Sequence, residues 1–500
     1  MNRFLNAVEF VGNKLPHPFF LFIFLAFFVV LLSAILHFFG VETLNPQDGK
    51  VVAIKSLLDA SGVQFLFSSA IKNFVNFPPL GLIFMIMIGM GLAEKVGLIS
   101  ACIRLSVLRC PKYLLTFSVF MIGASSSIAS DASFFIVIPL AAMLYHSFGR
   151  HPIAGAVAGY AATGGVKDAS VFITSSDALL SGIATDAARI IDPHFVVNAV
   201  DNYYFAIASC FVVSIAGTII IDYFIEPRLA KSLPVDKGVE IPKLENLSHA
   251  EKRALKWSFF TFAVIAALFC LILYPQDSPL RGPNGSLILS VFLKNIATVI
   301  FIFCMSMGIV YGVGVGKIKK LKDIPDLIAE SIKDLVPTLV LFFAIAQFLA
   351  YFKYSNLTLY IAIEGSNFLK TSGFTGYEFM LSFIVLCAFL NIFMTSGSAQ
   401  WSLMAPIFVP MLMYVNYHPA FTMAMYKIGD SVTNIISPCS PYFAVALLFM
   451  QKYRKDMGIG TLISTMLPIS LTLLLAWSLL LVVFVMFHLH FGPGVGVYLS

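Results

Sequence analysis

The chain has 500 residues, 59% of them hydrophobic and 12% charged, where an ordinary soluble domain is roughly a quarter charged. That balance excludes a water-soluble globular fold. The net charge of +6 is scattered over loops, with no basic run interleaved with aromatics, which excludes nucleic acid as a partner. Seven cysteines stand mostly in apolar segments without C-x-x-C spacing, so neither a disulfide framework nor a zinc site is expected. Apolar runs such as Pro18 to Gly40 reach the roughly 20 residues that cross a hydrocarbon core as helix, unlike the short alternating strands of a barrel. The fold class is therefore all-α integral membrane.

Taken in order, Arg3 and Lys14 precede the first span, and Arg104, Arg109 and Lys112 follow the second, at 79–96. Basic flanks mark the cytoplasmic face, so the N-terminus lies inside and 41–77 outside. No cleavable signal pattern precedes the first span, which is expected to stay as a helix. Residues 113–147 are apolar at both ends, polar from Gly123 to Ser133 including Asp131, and followed by Arg150. They read as a re-entrant hairpin from the cytoplasmic side. Residues 151–190 contain no charged loop, and one straight helix of that length, at 1.5 Å per residue, would far exceed a core of about 30 Å. The helix must break, and Gly164, Gly165, Lys167, Asp168, Ser170 and Asp177 supply the break.

The polar stretch 192–202 is then external, and a span at 203–225 returns to a loop holding Arg228, Lys231, Lys237, Lys243, Lys252 and Arg253. Spans at 257–274 and 293–315 lead back to Lys317, Lys319, Lys320 and Lys322, again inside. After a span at 335–352, residues 379–414 read as a second hairpin, entering from outside. A second broken helix, 418–450, runs in to Lys452, Arg454 and Lys455, and a last span at 462–487 leaves the C-terminus external. The expectation is about nine transmembrane helices plus two re-entrant hairpins, with two broken helices.

A shift of 267 residues superposes Ala132 on Ala399, Pro139 on Pro406, His151 on His418 and Pro152 on Pro419. It also lays one hairpin and broken helix on the other, with opposite entry sides. This predicts a single membrane transport domain over 1–500. A first repeat at 78–226 and a second at 331–490 are joined through 227–330, a basic cytoplasmic loop, two spans and a further basic loop. Inverted repeats with paired broken helices are the signature of a secondary transporter whose solute and ions bind at the midplane. Gly155 and Gly159, and Gly308, Gly312 and Gly316, have the spacing of close helix packing.

Polar groups at membrane depth are expensive and mark function. Between Asn391 and Tyr442 they are Asn391, Ser398, Gln400, Trp401, Lys427, Asp430 and Asn434, in a stretch that prolines interrupt. Broken helices offer free N–H groups to an anion and freed carbonyls to a cation. Asp430 lies three residues after Lys427, so the two either neutralise each other or work separately, Asp430 on a proton or cation and Lys427 on a solute carboxylate. Asn391 suits an ion or a substrate amide, or is a helix cap. Trp401 stacks on an aromatic solute or packs. Asp168 and Asp177 are candidate proton carriers, with Lys167 as a possible partner, and Asp131 is a candidate cap.

The motifs N-K-L-P-H-P-F from Asn13, G-L-A-E-K-V-G-L from Gly91, G-R-H-P-I-A-G from Gly149, D-A-L-L-S-G-I from Asp177, I-E-P-R-L from Ile225 and S-G-S-A-Q-W-S-L-M-A-P-I-F-V-P from Ser396 resemble the p-aminobenzoyl-glutamate transporter (AbgT) family over nearly the whole chain. The resemblance implies nine spans and two hairpins, a homodimer in the inner membrane, and transport of p-aminobenzoyl-glutamate or sulfonamide-like antimetabolites on a proton or sodium gradient. It implies functional positions at Asp177, Asn391, Ser398, Trp401, Pro419, Asp430 and Pro438, with Lys427 where the family usually has Arg, and no cofactor beyond a sodium ion near Asn391 and Asp430. In the first break the family usually reads Gly-Gly-Phe-Ser/Thr-Ala-Asn, whereas this chain has Lys167 and Asp168, so an ammonium stands in the ion region. Two readings follow. Either Lys167 fills a cation site permanently, opposite neutral Asn434, so that transport is less sodium-dependent than in relatives or uses protons through Asp168 or Asp177, or Lys167 and Asp168 pair at a wet cavity edge.

An intramembrane enzyme is disfavoured, because neither G-x-G-D nor H-E-x-x-H occurs. A passive channel is disfavoured by the buried titratable groups. The runner-up is a sodium- or proton-coupled dicarboxylate transporter.

Overall fold

The computed structural model describes residues 17–46, 49–129, 132–232, 236, 246–287 and 290–499. Arg3, Lys14, Asp131, Lys237 and Lys243 lie outside them. Helix α1 (Pro18–Phe38) begins on a proline at its first turn, where the missing N–H costs nothing. A hairpin of β1 (Glu42–Leu44) and β2 (Val51–Ala53) pairs Thr43 with Val52. Asp59 then caps α2 (Ala60–Val75), accepting the Gly62 N–H at 2.6 Å. Helix α3 (Pro78–Lys95) turns through Gly97, at φ +92°, into α4 (Leu98–Leu108).

The first hairpin is α5 (Leu115–Ser125) and α6 (Ala132–Ser147), and the first broken helix is α7 (Pro152–Gly164) and α8 (Ser175–Ala188). Helix α9 (Tyr203–Ile220) passes through a π turn into α10 (Glu226–Ser232). There follow α11 (His249–Leu273), the short α12 (Val291–Lys294), α13 (Ile296–Gly314), α14 (Asp323–Tyr354) and α15 (Leu357–Ser372). The second hairpin is α16 (Tyr377–Phe393) and α17 (Gly397–Met413), the second broken helix is α18 (Pro419–Thr433) and α19 (Pro441–Gln451), and α20 (Ile459–Met486) closes the chain.

Among the described residues seven helical stretches are long and apolar enough to cross a membrane, or eight if the pair around Lys112, bent by 112°, counts as one. The seven coincide with predicted spans, and the two broken helices complete the nine expected. Two segments read as external loops hold regular structure. Residues 41–77 hold the β hairpin and α2, and the segment after α14 holds α15. Both helices are short, and their polar residues hid them from a search for spans.

Each hairpin lies against its own broken helix, α5 and α6 on α7, α16 and α17 on α18. The halves also cross over, α17 packing on α8 and α19 on α6 and α7. Gly155 and Gly159 permit the approach of α7 to α6. A Cβ on Gly155 would fall 2.5 Å from the Ala141 carbonyl oxygen, and one on Gly159 3.0 Å from Ile138 Cα. Gly308 and Gly312 similarly bring α13 against Ala93 and Val96. Gly316 does not pack. It lies beyond α13 at φ +76° with open space around it, and ends the helix.

Candidate functional site

The break between α7 and α8 and the break between α18 and α19 face each other. Thr174 caps α8 in a reciprocal box with Asp177: the Thr174 Oγ1 accepts the Asp177 N–H, and Asp177 Oδ2 accepts the Thr174 N–H at 2.8 Å. This fixes the Asp177 carboxylate, whose other oxygen receives Lys427 Nζ from α18 at 2.5 Å. The reverse pairing comes from the first break, where Lys167 Nζ reaches Asp430 Oδ2 on α18 at 2.7 Å. Two crossed ion pairs thus tie the broken helices together. The neighbour pairings weighed from the sequence, Lys427 with Asp430 and Lys167 with Asp168, are not formed. Across the crossing each ammonium meets a carboxylate of the other half, and Thr174 holds that of Asp177 in place.

Asp168 makes no ion pair among the described residues and accepts hydroxyls instead, Ser431 Oγ at 2.9 Å and Ser176 Oγ at 3.2 Å. Among the described residues three carboxylates and two ammonium groups therefore share the crossing, one carboxylate in excess when all are ionised. Asn391, at the end of α16, donates through Nδ2 to the Asp430 carbonyl at 2.6 Å, to Thr433 Oγ1 and to Asn434 Oδ1. It pins the end of α18 at the point where its helical bonds cease. Asn391 Oδ1 and Asp430 Oδ1 are buried and accept no hydrogen bond. At the crossing those two oxygens keep acceptor capacity for a cation.

A cavity of about 460 Å³ opens beside the crossing. Of the predicted site residues, Lys167, Asp168, Ser398, Asp430 and Asn434 line it. The tip Thr395 to Ser398 forms one wall, and Gly397 leaves room there for the Lys167–Asp430 pair. A Cβ on Gly397 would stand 2.8 Å from Asp430 Oδ2 and 3.1 Å from Lys167 Nζ. Asp177 and Lys427 do not line the cavity. Pro419 opens α18, and Pro438 sits in the second break, where it cannot donate to a continuing helix. Trp401 is fully buried, its ring 4.6 Å from that of Tyr426 and its Nε1–H donated to the Leu180 carbonyl at 3.0 Å, so α17 is sealed onto α8.

Four contributors were not singled out from the sequence. Tyr426 packs tilted against Trp401 and donates its hydroxyl to the Gly397 carbonyl at 2.6 Å, Ser431 holds Asp168, and Phe134 and Tyr442 stack at 4.0 Å on the cavity wall. For Phe134 a signal existed, because it stands 267 residues before Trp401. The remainder are common aromatic or hydroxyl residues without a spacing of their own.

A model of the AbgT putative transporter family matches residues 3–499. The p-aminobenzoyl-glutamate transport protein of Escherichia coli is 37% identical over 489 residues, 98% of this chain and 96% of that protein. The crystal structure of the Alcanivorax borkumensis YdaH transporter superposes with a TM-score of 0.89 at 38% identity, covering 96% of this chain and all of that one. MtrF of Neisseria gonorrhoeae, described as illuminating a class of antimetabolite efflux pumps, gives 0.88 at 39% identity, covering 96% and 97%.

Proposed function

The chain belongs to the AbgT family of membrane transporters, and from that premise we propose that it moves p-aminobenzoyl-glutamate or a related aromatic, anionic or sulfonamide-like solute by alternating access, coupled to a proton gradient. The observation that carries this reading is the crossed pairing of Lys167 with Asp430 and Lys427 with Asp177 beside a cavity. An ammonium on Asp430 supplies the positive charge that a bound cation would bring, and Asp168, held among the described residues by hydroxyls alone, is the carboxylate that takes up a proton. Ser398 and the α17 tip meet the solute. Residues 78–226 and 331–490 act as inverted repeats within one transport domain. The protein works as a homodimer in the inner membrane, with its N-terminus cytoplasmic and its C-terminus external. The nearly bare surface of α11, where only Ala254, Leu255 and Ser258 are buried, fits lipid or a second copy.

One observation favours a second reading, sodium coupling. Asn391 Oδ1 and Asp430 Oδ1 are buried acceptors without donors, which is how an ion site looks before its ion arrives.

Uptake of labelled p-aminobenzoyl-glutamate into proteoliposomes, with sodium and pH gradients imposed separately and Asp430→Ala as control, separates the two. The expected result is uptake on the pH gradient alone, and a Lys167→Ala variant that acquires sodium dependence because the emptied position accepts the ion. Sodium-driven uptake by the parent would refute the resident-ammonium reading. No uptake on either gradient, with dicarboxylates carried instead, would overturn the substrate.

A further inference from the structure

We propose a second solute site in this chain, a vestibule in line with the central cavity that takes an aromatic carboxylate carrying an amino group. It rests on the substrate reading above for its probe. A cavity of about 540 Å³, within the range of small-molecule sites, lies where α2 meets α8 and α14, with Phe65, Lys72, Asn73, Phe77, Asp186 and Lys353 on its walls. It is at the end of α14 opposite to Lys319, Lys320 and Lys322.

Its alignment with the central cavity follows from the helices the two share. Helix α3 contributes Ile83 to the central cavity and Pro78 to this one. Helix α8 contributes Leu180 and then Asp186, and α14 contributes Thr338 and then Ala346. At 1.5 Å per residue the separation along α8 is about 9 Å and along α14 about 12 Å. Between the two lies a thin septum. Gly182 touches Pro79 so closely that a Cβ would stand 3.1 Å from Pro79 Cα, and the Phe77 ring meets Phe342 edge-on at 5.4 Å. A solute leaving the central cavity along α8 and α14 enters this vestibule next.

The chemistry of the walls selects a class of solute. Lys72 and Lys353 are exposed ammonium groups for carboxylates, and Phe65, stacked on Tyr354 at 4.2 Å, and the buried Phe77 make the apolar part of the wall. Asp186 is half-buried and makes neither an ion pair nor a hydrogen bond among the described residues, while Lys353 and Arg189 are the cations that act on it. A carboxylate left with acceptor capacity beside two lysines fits an arylamine donor at one end of a ligand and carboxylates at the other.

The test uses the full chain in proteoliposomes of either orientation, with initial rates against concentration for p-aminobenzoyl-glutamate and for benzoyl-glutamate, which lacks the amine. In the Lys72→Gln/Lys353→Gln variant KM for entry from the vestibule face should rise about tenfold with kcat within about twofold, while KM from the opposite face stays at the parent value. Replacing both lysines by arginine should restore the parent KM. Asp186→Asn should abolish the preference for the amino compound from the vestibule face only. Variants whose KM is unchanged, or changed equally on both faces, overturn the vestibule while leaving the substrate reading intact. A parent that carries neither compound overturns both.

Discussion

Lys427 and Asp430 stand at the spacing where a helix brings a cation and a carboxylate together, yet each turns to the other half of the molecule. Asp177 tests what that costs. An Asp177→Asn change keeps an oxygen for the Thr174 cap and removes only the charge facing Lys427, whose side chain is 3% exposed. Breaking one side of a buried pair typically costs about 3–5 kcal/mol, whereas replacing both members by apolar groups is often neutral. Thermal unfolding in detergent should therefore show Asp177→Asn well below the parent, and Lys427→Met/Asp177→Asn, which keeps the cap, closer to the parent than either single change. A double variant no better than the worse single one would show that the pair is not an isolated charge couple. At this scale the sequence made visible which residues are costly at depth, since Lys167, Asp168, Asp177, Lys427, Asp430, Asn391 and Asn434 all meet at the crossing. The partners were not visible, because spacing along one helix reports only local neighbours and the pairs that form span 250 and more residues. Tyr426 and Tyr442 stayed hidden among the many aromatic residues of an apolar chain.

The spans, hairpins and breaks were legible as elements because hydrophobic length and its interruption are properties of a local stretch. What the 267-residue shift missed is how each half closes its own crossing. In the first half Gly123 on α5 meets Ala162 on α7, where a Cβ on Gly123 would lie 2.4 Å from that of Ala162. In the second half the residue equivalent to Ala162 is Gly429 on α18, and it presses on Cys387 and Ala388 of α16. The small residue has changed helix, so identity at one position could not show it. Gly429 has no room for a methyl group: its Cβ would fall 2.5 Å from Cys387 Cβ and 2.7 Å from the Ile384 carbonyl oxygen, and the carbonyl is backbone that cannot swing aside. Overpacking of this kind costs typically about 1–3 kcal/mol. Gly429→Ala should lower the unfolding temperature and, by pushing α18 off α16, loosen the hold of Asn391 on Asp430. Transport should fall more than stability does. Parent-like transport with lowered stability would separate the crossing from the site.

The two halves of the whole molecule are equivalent in sequence position and unequal in what they expose. Phe134 on α6 faces α19 through Tyr442, and Trp401 on α17, 267 residues later, faces α8 through Leu180. Each hairpin thus lays an aromatic on the far half of the opposite broken helix, but the Phe134 contact lines the cavity while the Trp401 contact is sealed. If the halves exchange roles during transport, the Trp401 contact opens as the Phe134 contact closes, and the two never open together. A variant with Trp257→Phe and Trp477→Phe leaves Trp401 as the one tryptophan, excited selectively over tyrosine, since the chain has three tryptophans, and Tyr442→Cys adds a label site on the other wall. Under a driving gradient with solute, quenching of Trp401 by aqueous acrylamide should rise while labelling of position 442 by a water-soluble thiol reagent falls. Opposed changes are what a single site shared by two access states requires. A parallel rise of both signals would mean a path open from end to end, which a coupled transporter cannot sustain because its gradient would leak, and it would return the protein to the class of pores.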